Sequence, residues 1–551
     1  MISKVKIILS GLIFSLPGAA MASDEALLPT SHFAPPEVPN EPVEKIEGTL
    51  EIGEGGAALF DLHANSFRID RKAQELETIP ALRVDLVEDG SRILPVQRGP
   101  IRGTHPHWEW IVQPGEAWRD DDGVTWLSLP VALAERNANC VHNGLLKINL
   151  SDPGQPADFQ IASETCAYLQ FDMRAGLPVR FTARPVPNAP AVIAADKRER
   201  AARLPEKPVS MLPFADRLAA EDQVPAGALT AYGTVLEGTH YVSDCPTRAG
   251  PYPFCAELVL PSYSWAKSIF AGVAAMRLEH LYPGAMQRRI APYVGGCDED
   301  GWGDVTVSHV LNMASGHYNS REHEVDEGSA AMQKFFLVED HPGKILIACK
   351  AFGRRTDPGK RFVYRTGDTY IAGTAMTAIL RTERQEASAD LHTDLLAPIW
   401  QKLGLSALMD APRRTYDESA IPFSGWGLYL TRADLARIAA FLQRGGTIDG
   451  EALLDPDMLA KALQQGDAPH GLRAASDDQR YRNGFWAWNA GPYLGCEADR
   501  WIPLMSGFGG LTAALLPGER LYWHVSDGGT YRWGASAKAI HEYHPLCGET
   551  E

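Results

Sequence analysis

Ser264-Trp265-Ala266-Lys267 places a hydroxyl and an amine three residues apart, just after Pro261 and at the start of the apolar run Ile269 to Met276. If Ser264 begins a helix, the two side chains share one face a single turn apart. A serine hydroxyl is a poor nucleophile until a neighbour takes its proton. A lysine can do so only when loss of water lowers its own pKa, and an apolar helix supplies that condition. The helix N-terminus also directs N–H groups and positive dipole to the place where an oxyanion would form. Alone, the motif is equally read as a helix-capping serine with a surface lysine.

The segments that follow add weight by their order. Val305-Thr306-Val307-Ser308-His309-Val310-Leu311-Asn312-Met313-Ala314 ends in Ser315-Gly316, and Phe362-Val363-Tyr364-Arg365-Thr366 precedes the small-residue stretch Gly367 to Ala375. Next come Gly425-Trp426-Gly427-Leu428-Tyr429, the segment Thr431 to Arg437, and Phe508-Gly509-Gly510 before Leu511-Thr512-Ala513-Ala514-Leu515-Leu516-Pro517. From about Ala228 to Trp533 the chain thereby resembles the class C β-lactamase-like serine hydrolases, which include esterases, D-amino-acid peptidases and small-amide hydrolases. The resemblance implies Ser264 as nucleophile, Lys267 and Tyr364 as its proton acceptors, and an oxyanion hole formed by the N–H groups of Ser264 and Leu511. It also implies a substrate-binding rim of Thr366, Phe508, Gly509 and Gly510.

The chain departs from the family's pattern at two of these positions. Penicillin-handling members carry Asn where this chain has Thr366, and Lys or His where it has Phe508. Phenylalanine cannot pair with a substrate carboxylate. The expectation is therefore a neutral ester or amide rather than a carboxylate-anchored β-lactam, turned over through an acyl-enzyme without cofactor or metal. Alternatives are a catalytically weak or inactive envelope protein that binds cell-wall fragments, and a D-amino-acid peptidase of the same family. Trp486 and Trp488 are read either as walls of an apolar acyl pocket or as core. His317 is read as a loop histidine bonded to backbone rather than a group approaching the site, and the cluster Arg321, Glu322, His323, Glu324 and Asp326 as a solvated loop rather than metal ligands.

The elements that must hold these groups are legible in outline. A length of 551 residues exceeds what one core normally accommodates, and 45% hydrophobic with 22% charged residues is ordinary globular composition. Lys4 and Lys6 before the apolar run Ile7 to Ala22 read as a secretory signal peptide, residues 1–22, too short and too interrupted for a stable membrane anchor. Export to the periplasm or medium follows. The net charge of −17 argues against nucleic acid as a partner, leaving a small ester, amide or short peptide; oligomeric state is not legible.

Residues 23–47 read as a linker. Residues 48–187, with short alternating runs such as Leu82 to Val87 and turns such as Asp120 to Gly123, read as an all-β accessory domain, a sandwich. Its Trp108, Trp110, Trp118 and Trp126 read as core aromatics, with a sugar-stacking surface as the alternative. The proline-containing stretch 188–227 reads as an extended connector. Residues 228–551 read as a hydrolase domain of the β-lactamase-like type, an antiparallel sheet with a helical lobe, giving an α+β protein. An even count of eight cysteines in an exported chain points to disulfides. Cys140 with Cys166 and Cys245 with Cys255 rest on proximity; Cys297 with Cys349 and Cys496 with Cys547 complete the set as a guess.

Overall fold

The structure is a computed structural model that describes residues 26–38, 40, 42, 45–298, 301–466 and 470–548. The predicted signal segment, residues 1–22, lies outside them. Among the described residues no helix is long and apolar enough to cross a membrane.

The N-terminal half is rich in sheet. Ten strands between Gly48 and Ala183 pair side by side, an eleventh, Trp108–Val112, pairs with Thr125–Glu135, and every pairing among them is antiparallel. Alternation drives this region. Leu82, Val84 and Leu86 are buried while Arg83 is exposed and Asp85 half-buried, as a sheet with one covered face requires. Trp108, Trp110 and Trp118 are buried, as core aromatics should be, and half-buried Trp126 donates its indole N–H to Asp120 at 2.8 Å.

The stretch read as an extended connector is ordered differently. Ala189–Ala202 is a helix, and its Ala189, Val192 and Ile193 pack on Val87, Leu94 and Val186. Pro190 does not prevent it, because the first turn has no intrahelical acceptor for the missing N–H. The charges on this helix are engaged too: Asp196 takes Arg92 and Glu199 takes Arg98. Glu206–Pro208 then joins a second sheet, of nine strands, beside Thr239–Val242.

In that second sheet the strands Leu229–Leu236, Arg520–Ser526, Leu511–Leu516, Trp501–Gly507 and Phe485–Asn489 lie side by side, antiparallel. Helices inserted between its early and late strands form a lobe, including Thr366–Arg384 and Arg432–Gln443. Local capping starts several of them. Thr431 and Asp434 form a reciprocal capping box, and Ser329, Asp340 and Asp455 accept from N–H groups of their first turns. Mixed helix and sheet is thus observed as read.

One contiguous buried cluster runs from Leu50 and Trp108 in the first sheet to Trp265, Leu435 and Trp523 in the rest of the molecule. The first sheet therefore shares its core with the helical lobe. All four expected cysteine pairs are bonded: Cys140–Cys166, Cys245–Cys255, Cys297–Cys349 and Cys496–Cys547.

Candidate active site

Ser264 sits in the turn that enters a helix whose first part, Lys267–Gly272, is π-wound and whose remainder, Val273–Leu281, is α-helical. Tyr263, immediately before it, has φ of 40°, a left-handed conformation that a non-glycine residue adopts only when its surroundings impose it. Those surroundings are explicit. Asn139, fully enclosed at the end of the first sheet, accepts from Tyr263 N–H at 2.6 Å and from Gly427 N–H at 3.1 Å, and donates to the Leu428 carbonyl at 3.1 Å. The Tyr263 hydroxyl lies 3.1 Å from Cys140 Sγ, on the Cys140–Cys166 disulfide.

The three groups singled out from the sequence meet. Lys267 Nζ lies 2.8 Å from Ser264 Oγ, and the Tyr364 hydroxyl lies 2.8 Å from the same oxygen. Lys267 Nζ also reaches Thr366 Oγ1 at 2.9 Å and the Gly425 carbonyl at 3.1 Å. The lysine is 2% exposed, and burial lowers its pKa to about 8 against the opposing charge of Glu327. An amine in that range is partly neutral near pH 8 and can accept a proton. Burial raises the Tyr364 hydroxyl well above its ordinary value, and the charge of Glu327 adds to the effect.

Glu327 was not legible from the sequence. Its carboxylate accepts from Thr366 N–H at 2.8 Å and from the Thr366 hydroxyl, so it caps the helix Thr366–Arg384 where that helix meets the site. Desolvation raises its pKa while Lys267 opposes the shift. Thr366, expected to bind substrate, lines the cleft, but its hydroxyl is engaged by Lys267 and Glu327.

The strand bordering Ser264 is not the one that begins at Leu511. Trp501–Gly507 is the neighbour: the Trp265 indole donates to the Met505 carbonyl at 3.2 Å, and a Cβ at Gly507 would stand 3.0 Å from the Ser262 carbonyl. Phe508, Gly509 and Gly510 form the hairpin that follows, with φ of 90° and 110° at the two glycines. Leu511 starts the next strand, is fully buried, and does not line the cleft; neither do Gly509 and Gly510. Leu511 is therefore misplaced as an oxyanion donor, because the glycine pair is spent on the turn rather than on the strand facing the serine. Ser506, Gly507 and Phe508 are the residues of this segment that line the cleft.

The cleft itself has a volume of about 1670 Å³ and receives residues from both sheets. Trp486 and Trp488 both line it, and Trp486 stacks on Tyr364 with ring centres 5.8 Å apart. His323 and Glu324 also line it, whereas His317 is buried against Trp302, ring centres 3.8 Å apart. The first sheet's strand Thr125–Glu135 contributes Glu135, and turns between its strands contribute Asn139, Tyr168 and, after Leu59–Asn65, Phe67. No sequence signal tied these residues to Ser264.

No protein-family model matches the chain, and no curated protein matches it. Solved structures do. A penicillin-binding protein homologue from Caulobacter crescentus is 16% identical, with 64% of this chain and 98% of that one covered and a TM-score of 0.41. A family VIII carboxylesterase is 17% identical over 66% of this chain and 99% of that one, TM-score 0.41. A class C β-lactamase is 12% identical over 67% and 99%, TM-score 0.40. These solved structures are of the class C β-lactamase-like group that the chain's motifs resemble.

Proposed function

We propose that the protein is an exported serine hydrolase that cleaves a neutral ester or amide through an acyl-enzyme, with residues 228–551 as its hydrolase domain and residues 48–187 as an accessory β domain. The observation that carries this reading is one oxygen, Ser264 Oγ, held 2.8 Å from both Lys267 Nζ and the Tyr364 hydroxyl at the edge of a cleft. In the first half-reaction the Ser264 proton passes to neutral Lys267 as Oγ bonds to the substrate carbonyl carbon. The tetrahedral oxyanion is held by the Ser264 N–H and, in place of Leu511, by the Phe508 N–H beside Gly507. When the bond to the leaving group breaks, the proton is returned to that group through Tyr364. Water then attacks the acyl carbonyl and gives its proton to neutral Lys267, the acyl–Oγ bond breaks, that proton returns to Ser264 Oγ, and the acid leaves.

Four disulfides support an exported location. The carboxylates that line the cleft, Asp70, Asp222 and Glu324 among them, support a substrate without a carboxylate anchor. The test is covalent labelling by a fluorophosphonate together with turnover of a short-chain aryl ester. Wild type should be labelled at Ser264 and turn the ester over, and Ser264→Ala should do neither while retaining its circular dichroism spectrum. Labelling that persists in Ser264→Ala moves the nucleophile elsewhere, and a folded wild type without turnover or labelling supports the pure-binding alternative.

A further inference from the structure

Five Phe or Tyr side chains are strongly exposed among the described residues: Phe67, Tyr493, Phe508, Tyr531 and Tyr543. The first four line the cleft that holds Ser264. A single exposed ring needs no explanation, but four rings from separate segments converging on one concavity mark a recognition surface.

Their placement is ordered. The Phe67 ring stacks on Tyr168 at 4.2 Å and 8°, and stands 6.5 Å from Phe508. Phe508 in turn lies 5.7 Å from Tyr263, the residue before the nucleophile, so an aromatic wall runs from the turn after the first sheet's strand to the serine. Tyr168 is fixed by its hydroxyl, which donates to Glu135. The charged residues lining the cleft are mainly acidic: Asp70, Asp222, Glu324 and Glu327 outnumber Arg532 and Arg136, and Arg136 is taken by Glu339. An anionic group has little to bind there. The volume of about 1670 Å³ exceeds the roughly 300–1,000 Å³ of ordinary small-molecule pockets, so the cleft suits a substrate longer than a simple acetyl ester or amide.

From this we infer that the substrate is a neutral ester or amide bearing a flat aromatic group on one side of the scissile carbonyl, seated against Phe67 and Phe508. The inference rests on the serine hydrolase reading and adds its substrate class. It also gives the N-terminal β region a role, because Phe67 and Tyr168 belong to it.

The test uses five esters and a titrimetric assay: methyl acetate, methyl 3-(2-naphthyl)propanoate for the acyl side, 2-naphthylmethyl acetate for the alcohol side, and the fully saturated counterpart of each naphthyl ester. At least one naphthyl ester should exceed its saturated counterpart in kcat/KM by about three- to tenfold, the range expected for ring stacking. Phe67→Ala should bring that ratio close to one, and since Phe67 is 63% exposed its removal leaves the core untouched. Saturated and aromatic esters reacting equally in both series, or a ratio that survives Phe67→Ala, overturns the inference. Fluorophosphonate labelling separates the two levels. A wild type that is labelled and hydrolyses methyl acetate without aromatic preference sinks the substrate class alone, whereas one that is neither labelled nor active sinks the hydrolase reading with it.

Discussion

Asn139 Oδ1 accepts a hydrogen bond from Tyr263 N–H at 2.6 Å, so a side chain of the N-terminal sheet holds the backbone turn that presents Ser264. The same carboxamide binds Gly427 N–H and the Leu428 carbonyl, two and three residues beyond the Gly425 carbonyl that receives Lys267 Nζ. Replacing it by leucine leaves the Tyr263 and Gly427 N–H groups without partners, at about 1–3 kcal/mol each, while the Leu428 carbonyl keeps the Ser262 N–H. Asn139→Leu should lose stability in urea unfolding. It should also slow fluorophosphonate labelling of Ser264 in the molecules that remain folded. Unchanged labelling of the folded fraction would reduce Asn139 to a purely structural residue.

The pH dependence of kcat/KM should follow Lys267. In the proposed mechanism its neutral form is the base, so activity should rise with pH through the lysine's value of about 8 and level above it. The charge of Glu327 favours the ammonium form, which fixes the sign of a second experiment. Glu327→Gln removes that charge and should move the acidic limb to lower pH, by about one unit. A limb that stays in place would separate Glu327 from the base.

Tyr364→Phe deletes the hydroxyl 2.8 Å from Ser264 Oγ but keeps the ring against Trp486. We expect kcat to fall by about 10²- to 10⁴-fold with the melting temperature nearly unchanged. Steady-state kinetics and a thermal melt on one preparation check both halves.

The join between the first sheet and the helical lobe contains a buried ion pair, Arg413 with Glu109 at 2.6 Å, both side chains at most 2% exposed. Arg413→Met strands the carboxylate and should cost about 3–5 kcal/mol in denaturant unfolding. Burial alone would raise the Glu109 pKa, yet Arg413 outweighs it and holds the group below its ordinary value of 4.5. The pair's contribution is therefore present above that value and lost as pH falls through the lowered one. Wild type should lose more stability on acidification than the variant does.

The Cys140–Cys166 bond closes a segment with a sequence separation of 26, worth about 3.5 kcal/mol by loop-closure entropy. Because the Tyr263 hydroxyl rests on Cys140 Sγ, a Cys140→Ala, Cys166→Ala double variant should melt earlier and also lose activity below its melting temperature. Full activity below the melt would show that the disulfide supports the sheet alone.

Much of the chemistry was legible because it is local or ordered along the chain. Ser264 and Lys267 lie one helical turn apart, so their meeting needed only the helix that the apolar run Ile269 to Met276 predicts. Tyr364 followed from its place in the order of motifs. Alternation likewise exposed the strands of the first sheet, since it records which face is covered. Leu511 went astray for a local reason: sequence does not say whether a glycine pair extends a strand or makes a turn, and positive φ at Gly509 and Gly510 decided for the turn.

The chain by itself thus singled out Ser264, Lys267 and Tyr364, which the fold brings together, and the strand-rich N-terminal region. Tertiary structure alone decided that Asn139 grips Tyr263, that Glu327 caps the helix at Thr366, and that Phe67 faces Phe508. Each of these pairs is separated by tens to hundreds of residues, and no periodicity or motif records such a pairing. The partners are chosen when the two sheets and the helical lobe close over one core, where every buried polar group must find a partner from whatever segment packing brings near.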